Sequence, residues 1–237
     1  GRIYRIVHED QEPARAPEMS EASWTELVRG LEHPNGWWRY TAQRLIVEEG
    51  QRDPDAIELC RELAVKSEAP LGRLHAFHTL AGIDGLDAET LTHGLADEDP
   101  RVVRAALRAG ETVLTLGVDD ALVARYAELA SDMGDKRTAH QAMLSLGEAR
   151  TDAADAALVA LALGDMTSKT RREALFTSVA FRELATLEAL LAEPTFRDLE
   201  GADRASRHEL VKQLTRCVVR SGISEDCARV LALALET

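Results

Sequence analysis

The stretch Asp97-Glu98-Asp99-Pro100-Arg101-Val102-Val103-Arg104-Ala105-Ala106-Leu107 decides how this chain folds. Asp99 can cap a helix, and Pro100 suits the first helical position because no backbone donor is needed there. Arg104 and Ala106 then fall inside the helix, where a side chain as small as alanine lets another helix approach closely. The stretch therefore predicts a turn followed by a closely packed helix.

Similar breaks, acidic or rich in Pro and Gly, recur at residues 33–36, 67–70, 131–135 and 164–168 and from residue 193 onward. The helix after each of the first five breaks carries an alanine, and successive alanines are 34, 30, 33 and 35 residues apart: Ala42, Ala76, Ala106, Ala139 and Ala174. Two helices per unit and a period in the thirties are typical of a solenoid. We therefore predict an all-α fold, an α-α superhelix of about six helical hairpins plus a terminal helix, over residues 20–237.

The composition agrees with a helical chain and restricts its partners. Of 237 residues, 45% are hydrophobic and only 4% aromatic, and the net charge is −13. Such a charge opposes nonspecific binding to nucleic acid and to anionic membranes. No stretch approaches the roughly 20 apolar residues of a membrane span. Residues 3–7 alternate like a single strand and residues 8–19 read as a linker, so residues 1–19 are expected to belong to a preceding domain.

Two resemblances follow from these residues. The stretch 97–107 resembles the HEAT-repeat signature. Gly1-Arg2-Ile3-Tyr4-Arg5-Ile6, followed by residues 33–39, 43–45 and 70–76, resembles the membrane-bound dehydrogenases of planctomycete-type bacteria. The second resemblance implies a β-propeller before the HEAT repeats, often a c-type haem module after them, and an extracytoplasmic or periplasmic location. It implies that this segment joins the two and is not itself the catalytic part, and it makes the propeller or a partner domain the expected protein partner.

Two sets of residues are candidate sites. Arginines recur in the second helices, and acidic residues recur in the turns, at Asp97, Asp99, Asp132, Asp135 and Asp165. We expect a structural ladder of Arg39, Arg73, Arg104, Arg137 and Arg171 with Asp97, Asp99 and Asp132. The alternative is an anion-binding stripe. The second set is the aromatic group Trp24, Trp37, Trp38 and Tyr40. We expect it to dock the preceding domain, with one of Trp37 and Trp38 in the core, because adjacent helical residues point about 100° apart. The alternative is a stacking platform for a sugar or a base.

The remaining patterns predict no cofactor and no metal site. His75 and His78 share a helix at a spacing that a metal could use, but packing roles are commoner for such histidines. Cys60 is expected to be a buried thiol, and a bridge between Cys217 and Cys227 stays open. The function predicted is a non-catalytic scaffold for protein interaction. The alternatives are a HEAT-like DNA glycosylase and a tetrapyrrole-binding, lyase-like protein.

Overall fold

A computed structural model describes residues 10, 19–116, 120–197 and 202–236, and this part of the chain is helical with no strand. The predicted strand at residues 3–7 lies outside the described residues. The helices are α1 (Trp24–Gly30), α2 (Gly36–Glu49), α3 (Pro54–Lys66), α4 (Pro70–Gly82), α5 (Ala88–Leu95), α6 (Pro100–Ala109), α7 (Glu111–Thr115), α8 (Asp120–Ser131), α9 (Lys136–Leu146), α10 (Asp152–Leu163), α11 (Lys169–Ser178), α12 (Glu183–Ala192), α13 (Pro194–Arg197), α14 (Ala202–Ser221) and α15 (Ser224–Glu236).

The helices stack in two layers, which makes the fold an all-α solenoid. Hairpins form from α1 and α2, α3 and α4, α5 and α6, α8 and α9, α10 and α11, and α12 and α14. Each first helix packs on the next first helix, and α1, α3, α5, α8, α10 and α12 form what we call the first-helix layer. The helices α2, α4, α6, α9 and α11 stack in the same way as the second-helix layer. The prediction of six hairpins and a terminal helix, α15, is confirmed.

The hairpin turns end in side chains that cap the second helices. Asn35, Asp99, Asp135 and Ser168 each accept a hydrogen bond from a backbone N–H in the first turn of the helix that follows. Such a bond satisfies donors that the helix itself leaves without a partner. The α4 helix is the exception, because Ala69 precedes it and it begins with Pro70. The turn chemistry read from the sequence therefore sets where the second helices start.

The recurring alanines lie where the second helices pack into the stack. Ala42, Ala76, Ala106, Ala139 and Ala174 are all buried. Helix α5 approaches α4 and α6 very closely beside Gly94. A Cβ atom placed on Gly94 would lie 2.2 Å from Cζ of Phe77 and 2.7 Å from Cβ of Ala106. The period in the thirties thus reflects one close helix contact per hairpin. The repeating residues are therefore buried packing positions and not a surface motif.

The three cysteines are free thiols in this structure. Cys60 is buried in the core between helices, as predicted, and burial raises its pKa to about 12. Cys217 is exposed and Cys227 is partly exposed, and no bridge joins them. A thiol with a raised pKa is a poor nucleophile at neutral pH, so Cys60 serves packing.

Candidate interaction surface

Basic and acidic residues are distributed unequally between the two helix layers. The helices of the second-helix layer carry eleven arginines and lysines, and their only acidic residues are Glu48, Glu49 and Glu173. The helices of the first-helix layer carry four basic and eleven acidic residues. A chain with a net charge of −13 therefore presents one layer of helices that is cationic. An acidic partner would be attracted to that layer and repelled by the other.

Part of this cationic charge is used inside the stack. Arg73 donates from Nε to Asp97 at 2.7 Å and from Nη2 to the second carboxylate oxygen of Asp97 at 2.8 Å. Both side chains are only 9% exposed, so this is a buried bidentate pair between the second and third hairpins. Hydrogen bonding to Asp97 raises the pKa of Arg73. Arg104 likewise reaches Asp135 of the next hairpin at 3.1 Å. Two arginines thus form the expected rungs between neighbouring hairpins.

A second use of arginine is to hold the turn of its own hairpin. Arg39 donates from Nη1 to the backbone oxygens of His33 and Pro34, at 2.6 and 2.9 Å. Arg73 donates to the oxygen of Ser67, and Arg172 to those of Met166 and Thr167. In each case the arginine follows the first accepting residue by six positions. The fifth hairpin therefore places Arg172, and not the predicted Arg171, at the position equivalent to Arg39 and Arg73.

The structure places three other predicted ladder residues outside the ladder. Asp99 caps α6 and pairs with Arg101 of its own helix at 2.7 Å, because the cap brings that guanidinium within reach. Asp132 accepts from the backbone N–H of Gly134 at 2.8 Å within its own turn. Arg137 is exposed, and its side chain makes no hydrogen bond or ion pair among the residues that the structure describes; only its backbone N–H donates, to Asp135. The ladder of eight residues is therefore wrong at these positions, and Asp135 takes the role expected of Asp132.

The aromatic residues of the first hairpin divide between the core and the surface. Trp24 packs against the core beside Gly50, with its ring 3.3 Å from the position of a Cβ atom there. Trp37 and Tyr40, three residues apart in α2, are 61% and 68% exposed. Trp38 is half-buried, edge-on to Trp37 at 4.5 Å between ring centroids. The expectation that Trp37 or Trp38 lies in the core is wrong, since Trp37 is exposed and Trp38 half-buried; the tryptophan that packs against the core is the partly buried Trp24. The exposed pair forms an apolar end of the second-helix layer.

The two histidines of α4 pack against neighbouring helices. His75 is buried, hydrogen-bonds from Nδ1 to Gln43 at 2.7 Å and meets the ring of Tyr40 at 5.1 Å. Burial, followed by the charges of Arg39 and His78, lowers the pKa of His75 to about 4. No group of three His, Cys, Asp or Glu side chains is placed to hold a metal ion within the described ranges. Of the helices described, none is both long and apolar enough to cross a bilayer.

A cavity of about 580 Å³ opens on the second-helix layer between α9 and α11. Its charged lining consists of Lys136, Arg137, Arg171 and Asp165, with His140 beside them. Its apolar lining comes from Met133, Met143, Ala139 and Ala174. This cavity was not predicted from the sequence. The sequence signal for it is the cluster of basic residues that begins α9 and α11.

Residues 25–110 match the family model of HEAT repeats. The matched residues run from α1 to α6, so the similarity to HEAT repeats covers the first three hairpins. A crystal structure of an engineered protein from a structural genomics consortium aligns with a TM-score of 0.43 at 15% identity, over 81% of this chain and 98% of that chain. Among curated proteins, none matches the chain.

Proposed function

We propose that this chain is a non-catalytic scaffold that binds a partner protein through the second-helix layer. HEAT repeats are in general protein-interaction modules, and a stack of hairpins offers an extended surface for that purpose. The single observation that carries the proposal is the sorting of charge, because packing alone does not require acids in one layer and bases in the other. Trp37 and Tyr40 extend the same layer with apolar surface of the kind enriched in interfaces.

Site-specific crosslinking tests the proposal. A photoreactive amino acid would replace Leu71 on the second-helix layer or, as the matched control, Val65 on the first-helix layer; both side chains are slightly more than one third exposed. We expect a partner protein to be captured from extracts of the source cells at Leu71 but not at Val65. Capture at Leu71 should be lost when the exposed Arg44 and Arg101 are changed to Glu. Equal capture at both positions, or capture indifferent to the charge reversal, would refute the proposal.

A more specific prediction concerns the partner. The N-terminal resemblance implies a dehydrogenase-like β-propeller before these repeats, a haem module after them and an extracytoplasmic location. The residues that carry the strand 3–7 lie outside the described part of the chain, so this remains a prediction supported by the resemblance alone. Identifying a propeller domain or a c-type cytochrome among the proteins crosslinked at Leu71 would support it. Reproducible capture of an unrelated protein would contradict it while leaving the scaffold proposal intact.

A further inference from the structure

The cavity between α9 and α11 contains a guanidinium whose charge the protein does not neutralise with a hydrogen-bonded carboxylate. Arg171 donates from Nη1 to the backbone oxygen of Ala130 at 2.8 Å and lies 3.7 Å from the sulfur of Met133. Its Nε is buried and has no hydrogen-bond partner in the described structure. Burial lowers the pKa of Arg171, and the charge of Asp165 only partly opposes that effect. A half-buried cation without a bonded anion loses hydration that nothing replaces, and a bound carboxylate would relieve that cost.

The other charges around the cavity also favour an anion. Asp165, the acid that lines the cavity, is held by the backbone N–H and the hydroxyl of Thr167 at 2.8 and 2.6 Å. Arg137 lines the same cavity and makes no ion pair within the described structure, and Lys136 adds a further positive charge. By contrast, Arg73 and Arg104 of the earlier hairpins are paired with Asp97 and Asp135. The cavity is therefore where unpaired positive charge and enclosed volume coincide.

The apolar part of the cavity lining favours an anion that also carries an apolar group. Met133 and Met143 flank the basic residues, and methionine side chains adapt to apolar groups of varied shape. A volume of about 580 Å³ lies within the range of ligand sites, and it suits a few residues of a peptide and not a single small ion. Nucleic acid would need a regular row of free cations, whereas the cations that neighbour the cavity in α6 are paired with Asp99 and Asp135.

We propose that the α9–α11 cavity anchors an acidic peptide segment of the partner, with a Glu or Asp carboxylate beside Arg171 and an adjacent apolar side chain against Met133 and Met143. This deepens the proposed function and rests on it, because the segment would reach the cavity along the second-helix layer. The turn-holding role of Arg172 supports the assignment, since that residue leaves Arg171 outside the turn and on the cavity wall.

Fluorescence anisotropy of short labelled peptides in low-salt buffer tests the anchor. The probes are a peptide of alternating Glu and Leu, its counterpart with Gln in place of Glu, and single-stranded oligothymidylate. The cavity variants are Arg171→Met, which keeps bulk and removes charge, and Thr170→Glu, which adds a negative charge to an exposed lining residue. The matched control is Arg108→Met, on α6 of the same layer but outside the cavity. Circular dichroism verifies that each variant folds.

We expect the Glu-Leu peptide to bind more tightly than the Gln-Leu peptide, and each cavity variant to weaken it about tenfold or more. Arg108→Met should weaken it less than about threefold, as for an exposed charge. Equal losses for Arg171→Met and Arg108→Met, or tighter binding of the oligonucleotide, would overturn the anchor. Failure of the Glu-Leu peptide to bind while crosslinking at Leu71 persists would also overturn it and leave the scaffold standing. If the Glu-Leu peptide does not bind and no partner is crosslinked at Leu71, the scaffold proposal is refuted as well.

Discussion

Replacing Asp97 with Asn tests how strongly the buried pair holds the second hairpin to the third. The Asp97 carboxylate accepts from Nε and Nη2 of Arg73 and from the backbone N–H of Asp99, all at 2.7 to 2.8 Å. Both oxygens of the Asp97 carboxylate accept hydrogen bonds, whereas an Asn side chain has only one oxygen. In either orientation of the Asn amide, its NH₂ group therefore faces an N–H donor of Arg73 or Asp99. The buried guanidinium would also lose its counterion. Breaking such a pair from one side costs about 3 kcal/mol of unfolding free energy.

The assay is urea unfolding followed by far-UV circular dichroism. The matched control is Glu48→Gln, which breaks the Arg44–Glu48 pair; its contact distance is also 2.7 Å, but its side chains are 60% and 52% exposed. That change should cost less than about 0.5 kcal/mol. Glu98, 4.0 Å from Arg73 and 90% exposed on its side chain, could move in as a substitute, so Asp97→Asn is also made with Glu98→Gln. The reasoning would be refuted if Asp97→Asn, with and without Glu98→Gln, lowered the unfolding free energy by no more than about 1 kcal/mol beyond the loss in Glu48→Gln.

Three further changes probe packing, protonation and backbone strain. Gly94→Ala should lower the unfolding free energy measured in urea by about 1–3 kcal/mol, because Phe77 is buried and has no room to retreat from a new Cβ atom. The control is Gly36→Ala, where the new Cβ atom meets only the side chains of Arg39 and Tyr40. Equal losses of unfolding free energy for the two variants would contradict the prediction. The folded-state pKa of His75 lies near 4 against 6.5 for the free side chain, so the unfolded chain binds the proton first and stability falls as pH drops through that interval. In His75→Gln, the loss of unfolding free energy between about pH 6.5 and pH 4, measured by urea unfolding, should be about 2–3 kcal/mol smaller than in the unaltered protein, and an unchanged pH dependence would contradict the assignment. Phe181 is 92% exposed with φ of 66°, so Phe181→Gly should raise the thermal midpoint by relieving about 1 kcal/mol of left-handed strain, and a lower midpoint would argue against that strain.

The repeat architecture could be predicted from the sequence because it depends on local rules. Turn residues such as Asp99 and Pro100 fix where a second helix begins, and a small residue such as Ala106 marks where it packs. Both signals lie within a few residues of each other. They recur in five hairpins, so an error in one hairpin does not alter the fold.

The functional surface was harder to predict because it depends on register and on distance between helices. Arg39 and Arg172 are each the fourth residue of their helix, but Ala174 is the sixth residue of α11 whereas Ala42 is the seventh of α2. Counting back from the alanine therefore selected Arg171, while the hydrogen bonds to the turn select Arg172. Trp37 and Trp38 do diverge as helix geometry requires, yet the sequence could not show that Trp24 is the tryptophan that packs against the core. The cavity itself depends on how far α9 and α11 stand apart, which no local pattern encodes.

The net charge of −13 was a poor guide to binding for a reason that is specific to this architecture. In a two-layer stack each layer shows one face to solvent, and helix axes lie about 8–10 Å apart. Charges on the two outer faces lie farther apart than the axes, and so farther apart than the Debye length of about 8 Å at physiological ionic strength. The acids of the first-helix layer are therefore largely screened from a ligand on the opposite face, and the bases of the second-helix layer set the local potential there. An acidic segment can be attracted to an acidic protein in this way, provided that it meets the layer that carries Arg137 and Arg171.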